Sequence, residues 1–211
     1  MERYLKHTYF IDSDSEKVRQ KSRELIAGQN DPVECAKRLF YFVRDSIVYT
    51  IYGPKDSPEQ FRASETLARG DGYCVQKAVL LVALARALGV PARLGFAIIR
   101  NHIMPPKLFE IMKTNLFPWH GYAQLFLNGK WITATPAFDK EMCDANHILP
   151  VEFDGSADAR FHRYNRDGVL HIEYLKDRGP FDNLPLDHIW QAMRERGFLN
   201  EDTKISEDFV K

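Results

Sequence analysis

Residues 70–89 read GDGYCVQKAVLLVALARALG, and this stretch decides the fold. From Cys74 onward it is rich in Ala and Leu, has almost no polar side, and stops at Gly89. A helix that is apolar nearly all round is a central, buried one. The Gly-Asp-Gly-Tyr segment ahead of it predicts a tight turn that sets Cys74 in the first turn of the helix. Unpaired backbone N–H groups and a partial positive charge at that position favour a thiolate, the nucleophilic form of cysteine. The glycines leave room for a substrate backbone. The competing reading of the same residue is a small buried hydrophobe.

Upstream, residues 13–27 predict a helix with Ser13 or Ser15 as cap and Gly28 as stop. Asp31-Pro32-Val33-Glu34 opens a second helix, with Asp31 as N-cap, Pro32 in the first helical position and Glu34 completing a capping box. Residues 53–63 read as a loop, and SETLARG as a short helix ending at Gly70. Downstream, residues 92–100 (ARLGFAIIR) predict a strand, and residues 107–115 a short helix within a proline-bearing stretch. Ile103, Met104, Leu108, Phe109, Phe117 and Trp119 of that stretch either line a substrate groove or pack onto the core. Asn128-Gly129 predicts a type I′ hairpin, and Asp167-Gly168 a second one. Residues 184–197 predict a final helix stopped by Gly197, followed by a loose polar end. Helices first and hairpins later favour an α+β fold with an antiparallel sheet over alternating βαβ units. No linker composition divides the chain. It reads as one domain over residues 1–211, with a core at about 30–145 and residues 150–211 as an appended layer.

At 211 residues the chain can bury a core without disulfides or metals. Apolar residues at 45% and charged residues at 27% mark a globular composition rather than a disordered one. Lys+Arg and Asp+Glu stand at 29 each, so no global basic field favours nucleic acid as a partner. Cys35, Cys74 and Cys143 form no disulfide framework and point to a reducing compartment. Glu2, Arg3 and Lys6 interrupt the start where a signal peptide is apolar. The longest apolar run, Ala78–Ala85, falls short of the roughly 20 residues of a membrane span. A cytoplasmic protein without a membrane anchor is expected. Neither zinc-type Cys/His spacing nor a calcium loop is present in the sequence, so neither a metal nor a cofactor is expected.

A reactive thiol needs a proton acceptor. His120 is the best placed of seven histidines, because it opens the first hairpin strand and can face the end of a packed helix. A two-residue loop at Asn128-Gly129 pairs Leu127 with Lys130 and Gln124 with Thr133. Continued, this register sets His120 opposite Ala137 and Tyr122 opposite Thr135, with Thr135 diagonal to His120.

With these residues in place, GDGYCVQKAVLLVALARALGVPARLGFA, preceded by ASETLARG, resembles the core of the transglutaminase-like superfamily. HGYAQLFLNGKWITATP resembles that family's second block: a His beginning a strand, a hairpin, a Trp, then a third site residue. The resemblance spans roughly residues 63–99 and 120–139. It implies a papain-like fold, with a nucleophile helix on an antiparallel sheet, N-terminal helices and a C-terminal strand–helix extension. It also implies Cys74 as nucleophile and His120 as general base and acid, acting on a peptide or protein amide through a thioester. The family's usual Asp falls at Thr135 here. A threonine hydroxyl can orient an imidazole but cannot supply a carboxylate's charge. Asp139, four residues on, is the alternative orienter. Oxyanion donors are the Cys74 backbone N–H and Tyr49. Thiol-dependent amide hydrolysis is favoured over transfer because water is always present. A weak or inactive peptide-binding scaffold of the same fold is the runner-up, supported by the absence of Asp at position 135. A redox or structural protein with a merely buried Cys74 is the third reading.

Overall fold

The structure, a computed structural model, describes residues 1–196. The expected Gly197 stop and loose end lie outside the described residues. Helix α1 (Glu16–Ile26) leads to α2 (Pro32–Ser46), which Asp31 caps by accepting from Glu34 N at 2.9 Å, with Pro32 in the first turn. Next come β1 (Val48–Tyr49), a 3-10 turn at Pro58–Phe61, α3 (Ala63–Arg69) and β2 (Asp71–Gly72). The expected tight turn at residues 70–73 is instead partly extended. Asp71 and Gly72 pair in parallel with Val48 and Tyr49, because Val48 N donates to Gly70 O and Thr50 N to Gly72 O.

Helix α4 (Cys74–Ala87) follows, and every residue from Val75 to Arg86 is buried. It packs on the sheet on one side and on α1, α2 and α3 on the other. That sheet has the order β5-β4-β3-β6 and is antiparallel throughout, built from β3 (Ala92–Asn101), β4 (Leu116–Leu127), β5 (Lys130–Ala134) and β6 (Ile172–Phe181). The remaining helices are α5 (Pro106–Met112), α6 (Lys140–Ala145) and α7 (Leu186–Arg194). The α+β class and the helix-on-antiparallel-sheet core are as expected. Among the described residues no helix is long and apolar enough to cross a membrane.

The buried polar residues of α4 tie the surrounding layers to it. Lys77 Nζ donates to Arg44 O at 2.9 Å and Ile47 O at 2.6 Å, satisfying carbonyls at the end of α2. Gln76 Nε2 donates to Pro54 O and Gln60 O, fixing the loop between β1 and α3. Arg86 donates to the carbonyls of Lys6, Ala92 and Asp182, joining the N-terminal segment and the residue after β6 to the start of β3. A buried polar group is costly unless bonded, so each of these ties also fixes a neighbour's position.

The Asn128-Gly129 hairpin has both central residues at positive φ, 49° and 81°, as a type I′ turn requires. Its register is Leu127–Lys130 and Gln124–Thr133, and it ends at Ala123–Ala134. The expected Tyr122–Thr135 and His120–Ala137 pairs are not part of the ladder, because Thr135 N turns to Ala159 O. His120 does not open its strand either, since β4 begins four residues earlier. At Asp167-Gly168 the expected hairpin shrinks to one bridge, Tyr164–Leu170. The chain after residue 150, expected as an appended layer, supplies β6, which hydrogen-bonds to β3 within the sheet.

Two glycines permit close approach at the centre. The Tyr122 ring covers Gly95, its cross-strand partner, so that a Cβ there would stand 2.1 Å from the ring. A Cβ at Gly121 would stand 3.0 Å from Val75 Cα and 3.2 Å from Val75 Cγ2. Strand β4 and the first turn of α4 therefore touch backbone to backbone. Gly121→Ala is expected to lower stability by about 1–3 kcal/mol through overpacking and to slow Cys74 alkylation, because the added methyl pushes the helix start from the strand. Urea unfolding and iodoacetamide labelling measure both. Wild-type values for both would show that the contact has slack.

Candidate active site

Cys74 is the first residue of α4 and is partly exposed, whereas Cys35 and Cys143 are buried. The backbone N–H groups of Gly121, Val75 and Cys74 itself act to lower its thiol. Burial outweighs these donors and pushes the thiol up to about 11. The donors at the helix start and the burial of the sulfur thus act in opposite directions.

His120, the neighbour of Gly121, is 2% exposed. It pairs with Ala97 on β3 just before an irregularity in the ladder. Beyond it, Ile99 pairs with Phe117, so β4 uses one residue more than β3 over this stretch. Pro118, which has no N–H for the ladder, lies within the bulge. The imidazole packs against Phe161 at 4.8 Å and Tyr174 at 6.0 Å between ring centroids. Its Nε2 is buried with no hydrogen-bond partner among the described residues. Burial, and secondarily the Arg160 guanidinium, push the imidazole down to about 3. Arg160 lies over the rings of Tyr122 and Tyr174 and 3.6 Å from Asp177.

Neither proposed orienter bonds this imidazole. Asp139 caps α6, with one carboxylate oxygen accepting from Met142 N at 2.7 Å and the other from Tyr49 N at 2.9 Å. Its chemistry suited the role, but both oxygens are committed to backbone. Thr135 is buried, and its Oγ1 faces the Tyr174 hydroxyl without closing a hydrogen bond. Tyr49 gives its backbone N–H to Asp139, so of its donors the hydroxyl remains for the site. Burial raises that hydroxyl well above the usual phenol range, and Cys74 adds to the rise.

Cys74, His120 and Tyr49 open into one cavity of about 320 Å³. Leu108, Phe117 and Trp119 from the proline-bearing stretch line it, as one of the two sequence readings had it. Met104 and Phe109 line a separate shallow hollow instead. The sequence reading missed Tyr73, Phe161 and Tyr174. Tyr73 directly precedes Cys74, lines the cavity and keeps its buried hydroxyl unpartnered. Its adjacency to Cys74 was a usable signal. Phe161 and Tyr174 come from the region read as an appended layer, and no local motif marks them. No group of three metal-ligating side chains gathers among the described residues.

A sequence model described as the transglutaminase-like superfamily matches residues 19–136, more than half of the chain. No curated protein matches the chain. Among solved structures it is similar to a candidate cysteine protease from Cytophaga hutchinsonii, with 15% identity, 86% of this chain and 56% of that one covered, and a TM-score of 0.49. It is also similar to a candidate protease from Parabacteroides distasonis, at 12% identity, 60% and 26% coverage and a TM-score of 0.40. A third is the periplasmic domain of TgpA from Pseudomonas aeruginosa, at 19% identity, 63% and 45% coverage and a TM-score of 0.45. The chain spans less than two thirds of the length of each of these structures.

The buried imidazoles give the fold an acid-labile character. His120 is held at about 3 by burial and then Arg160, and His171, also buried with both ring nitrogens unpartnered, at about 4 by burial and then His102 and His162. Above the unfolded histidine value of about 6.5, both imidazoles are neutral in either state and their contribution is fully present. As pH falls below it, the unfolded chain takes up protons that the native state refuses, so stability is lost from about pH 6.5 down to about 4 through His171 and to about 3 through His120. The melting temperature is expected to fall over that range, and His171→Leu to flatten the fall. An equal slope in wild type and variant would remove His171 from the account.

Proposed function

The chain belongs to the transglutaminase-like superfamily, a family of thiol-based hydrolases and transferases, and on that premise we propose that it hydrolyses amide bonds through a Cys74 thioester. The observation that carries this reading is the meeting of Cys74, at the start of α4, and His120, on β4, in the lining of one cavity, where Gly121 lets strand and helix touch.

Both groups rest neutral, so the proton moves as the bond forms. His120 accepts the thiol proton while Sγ attacks the carbonyl carbon, giving a tetrahedral oxyanion. Backbone N–H groups at the start of α4 and the Tyr49 hydroxyl are the donors for that oxyanion. Collapse breaks the C–N bond, and His120 gives its proton to the departing amine. Water, losing a proton to His120, attacks the thioester. The acid leaves and Sγ is reprotonated.

A second reading has its own observation. Among the described residues His120 Nε2 has no hydrogen-bond partner to stabilise an imidazolium, as a weak or inactive peptide-binding domain would have it. A pool of short peptides and peptide amides, followed by mass spectrometry, separates the two. Amide cleavage is expected in wild type, lost in Cys74→Ala, and reduced by about 10²–10⁴-fold in His120→Ala. Binding of the same peptides without cleavage or a Cys74 adduct would overturn hydrolysis and favour the scaffold.

A further inference from the structure

The cavity's lining is one-sided in charge. Rings from Tyr49, Phe117, Trp119, Phe138 and Phe161 form much of its wall. Met112, Met142 and Met193 add flexible apolar surface that can adapt to a range of shapes. Among the described residues that line it none is acidic, and two, Lys55 and Arg196, are cationic. The whole chain carries equal numbers of basic and acidic residues, so this excess is local.

The two cations are associated with one wall. Trp190 Nε1 donates to Lys55 O at 3.0 Å, tying the Lys55 backbone to α7. Ile189, Ala192 and Met193 of α7 line the cavity, and the chain then reaches Arg196. Lys55 Nζ donates to Gly53 O at 2.7 Å, and Asp56 is the acid that acts on it electrostatically. Burial lowers this ammonium, as expected for a cation drawn into an apolar setting without a bonded carboxylate. Arg196 Nη1 donates to Ala192 O at 2.9 Å and stands 3.6 Å from Glu195, whose side chain is 58% exposed. Arg196 Nε is buried without a hydrogen-bond partner among the described residues. An anion in the cavity would relieve both groups.

Resting on the amide-hydrolase reading above, we infer that the site takes an amide bearing both a bulky apolar group and a free carboxylate. The apolar group occupies the aromatic and methionine wall, and the carboxylate faces Lys55 and Arg196. An N-acyl amino acid and the C-terminal residues of a peptide share this chemistry. An internal peptide bond flanked by polar residues has neither feature.

Binding is measured by calorimetry on Cys74→Ala, which separates recognition from turnover. The probes are N-benzoylphenylalanine, its methyl ester, and a tetrapeptide ending in phenylalanine as free acid and as amide. At least one free acid is expected to bind about tenfold or more tighter than its neutral counterpart, the gain of one charge-assisted hydrogen bond. The tighter of the two acids identifies the source. Lys55→Met should erase most of that preference, Lys55→Arg should keep it, and 0.5 M salt should narrow it. Equal binding of acids and neutral counterparts, or a preference that survives Lys55→Met and Arg196→Met together, would overturn the inference. A preserved preference in a protein that cleaves nothing would overturn hydrolysis and leave this recognition standing.

Discussion

The backbone contact between Gly121 and Val75 is the constraint on which the rest of this structure depends. A helix can present a nucleophile to a histidine on a strand only if its first turn reaches that strand. A side chain at position 121 would hold the two elements apart. With glycine there, the first turn of α4 comes against β4, and His120 follows one residue away. The buried polar groups of α4 then hold the rest in place: Lys77 under the end of α2, Gln76 on the 53–63 loop, and Arg86 on the N-terminal segment and the residue after β6.

The same packing sets the chemistry. Desolvation raises the thiol and lowers the imidazole, so it favours the neutral form of each. A carboxylate beside His120 would offset the second shift, but the neighbours are the Phe161 and Tyr174 rings, with the Arg160 guanidinium acting in the opposite sense. Burial thus works against a pre-formed thiolate–imidazolium pair, and on the proposed mechanism the proton moves during the attack.

Much of this was legible in the sequence, for local reasons. The apolar run after Cys74 could only be a buried helix, and the Asn128-Gly129 pair fixed both the turn and the first five rungs of its ladder. Asp31 and Pro32 marked a helix start through chemistry confined to one turn. What failed depended on distant partners. Thr135 leaves the ladder because Ala159, far along the chain, takes its N–H. Asp139, which the resemblance offered as the alternative orienter to Thr135, accepts instead from the backbone N–H groups of Tyr49 and Met142. Strand β6 has no hairpin signal joining it to β3, and its place in the sheet follows from tertiary pairing alone. The rings around His120 came with that strand and the segment before it, and so were equally out of view.

The central claim is that Cys74 and His120 rest as thiol and imidazole. Nitrogen-15 NMR of the His120 ring at pH 7 tests it most directly. The account predicts one protonated and one bare ring nitrogen, with a spectrum unchanged by Cys74→Ser. Two protonated nitrogens that revert to one in Cys74→Ser would establish an ion pair at rest and contradict the account.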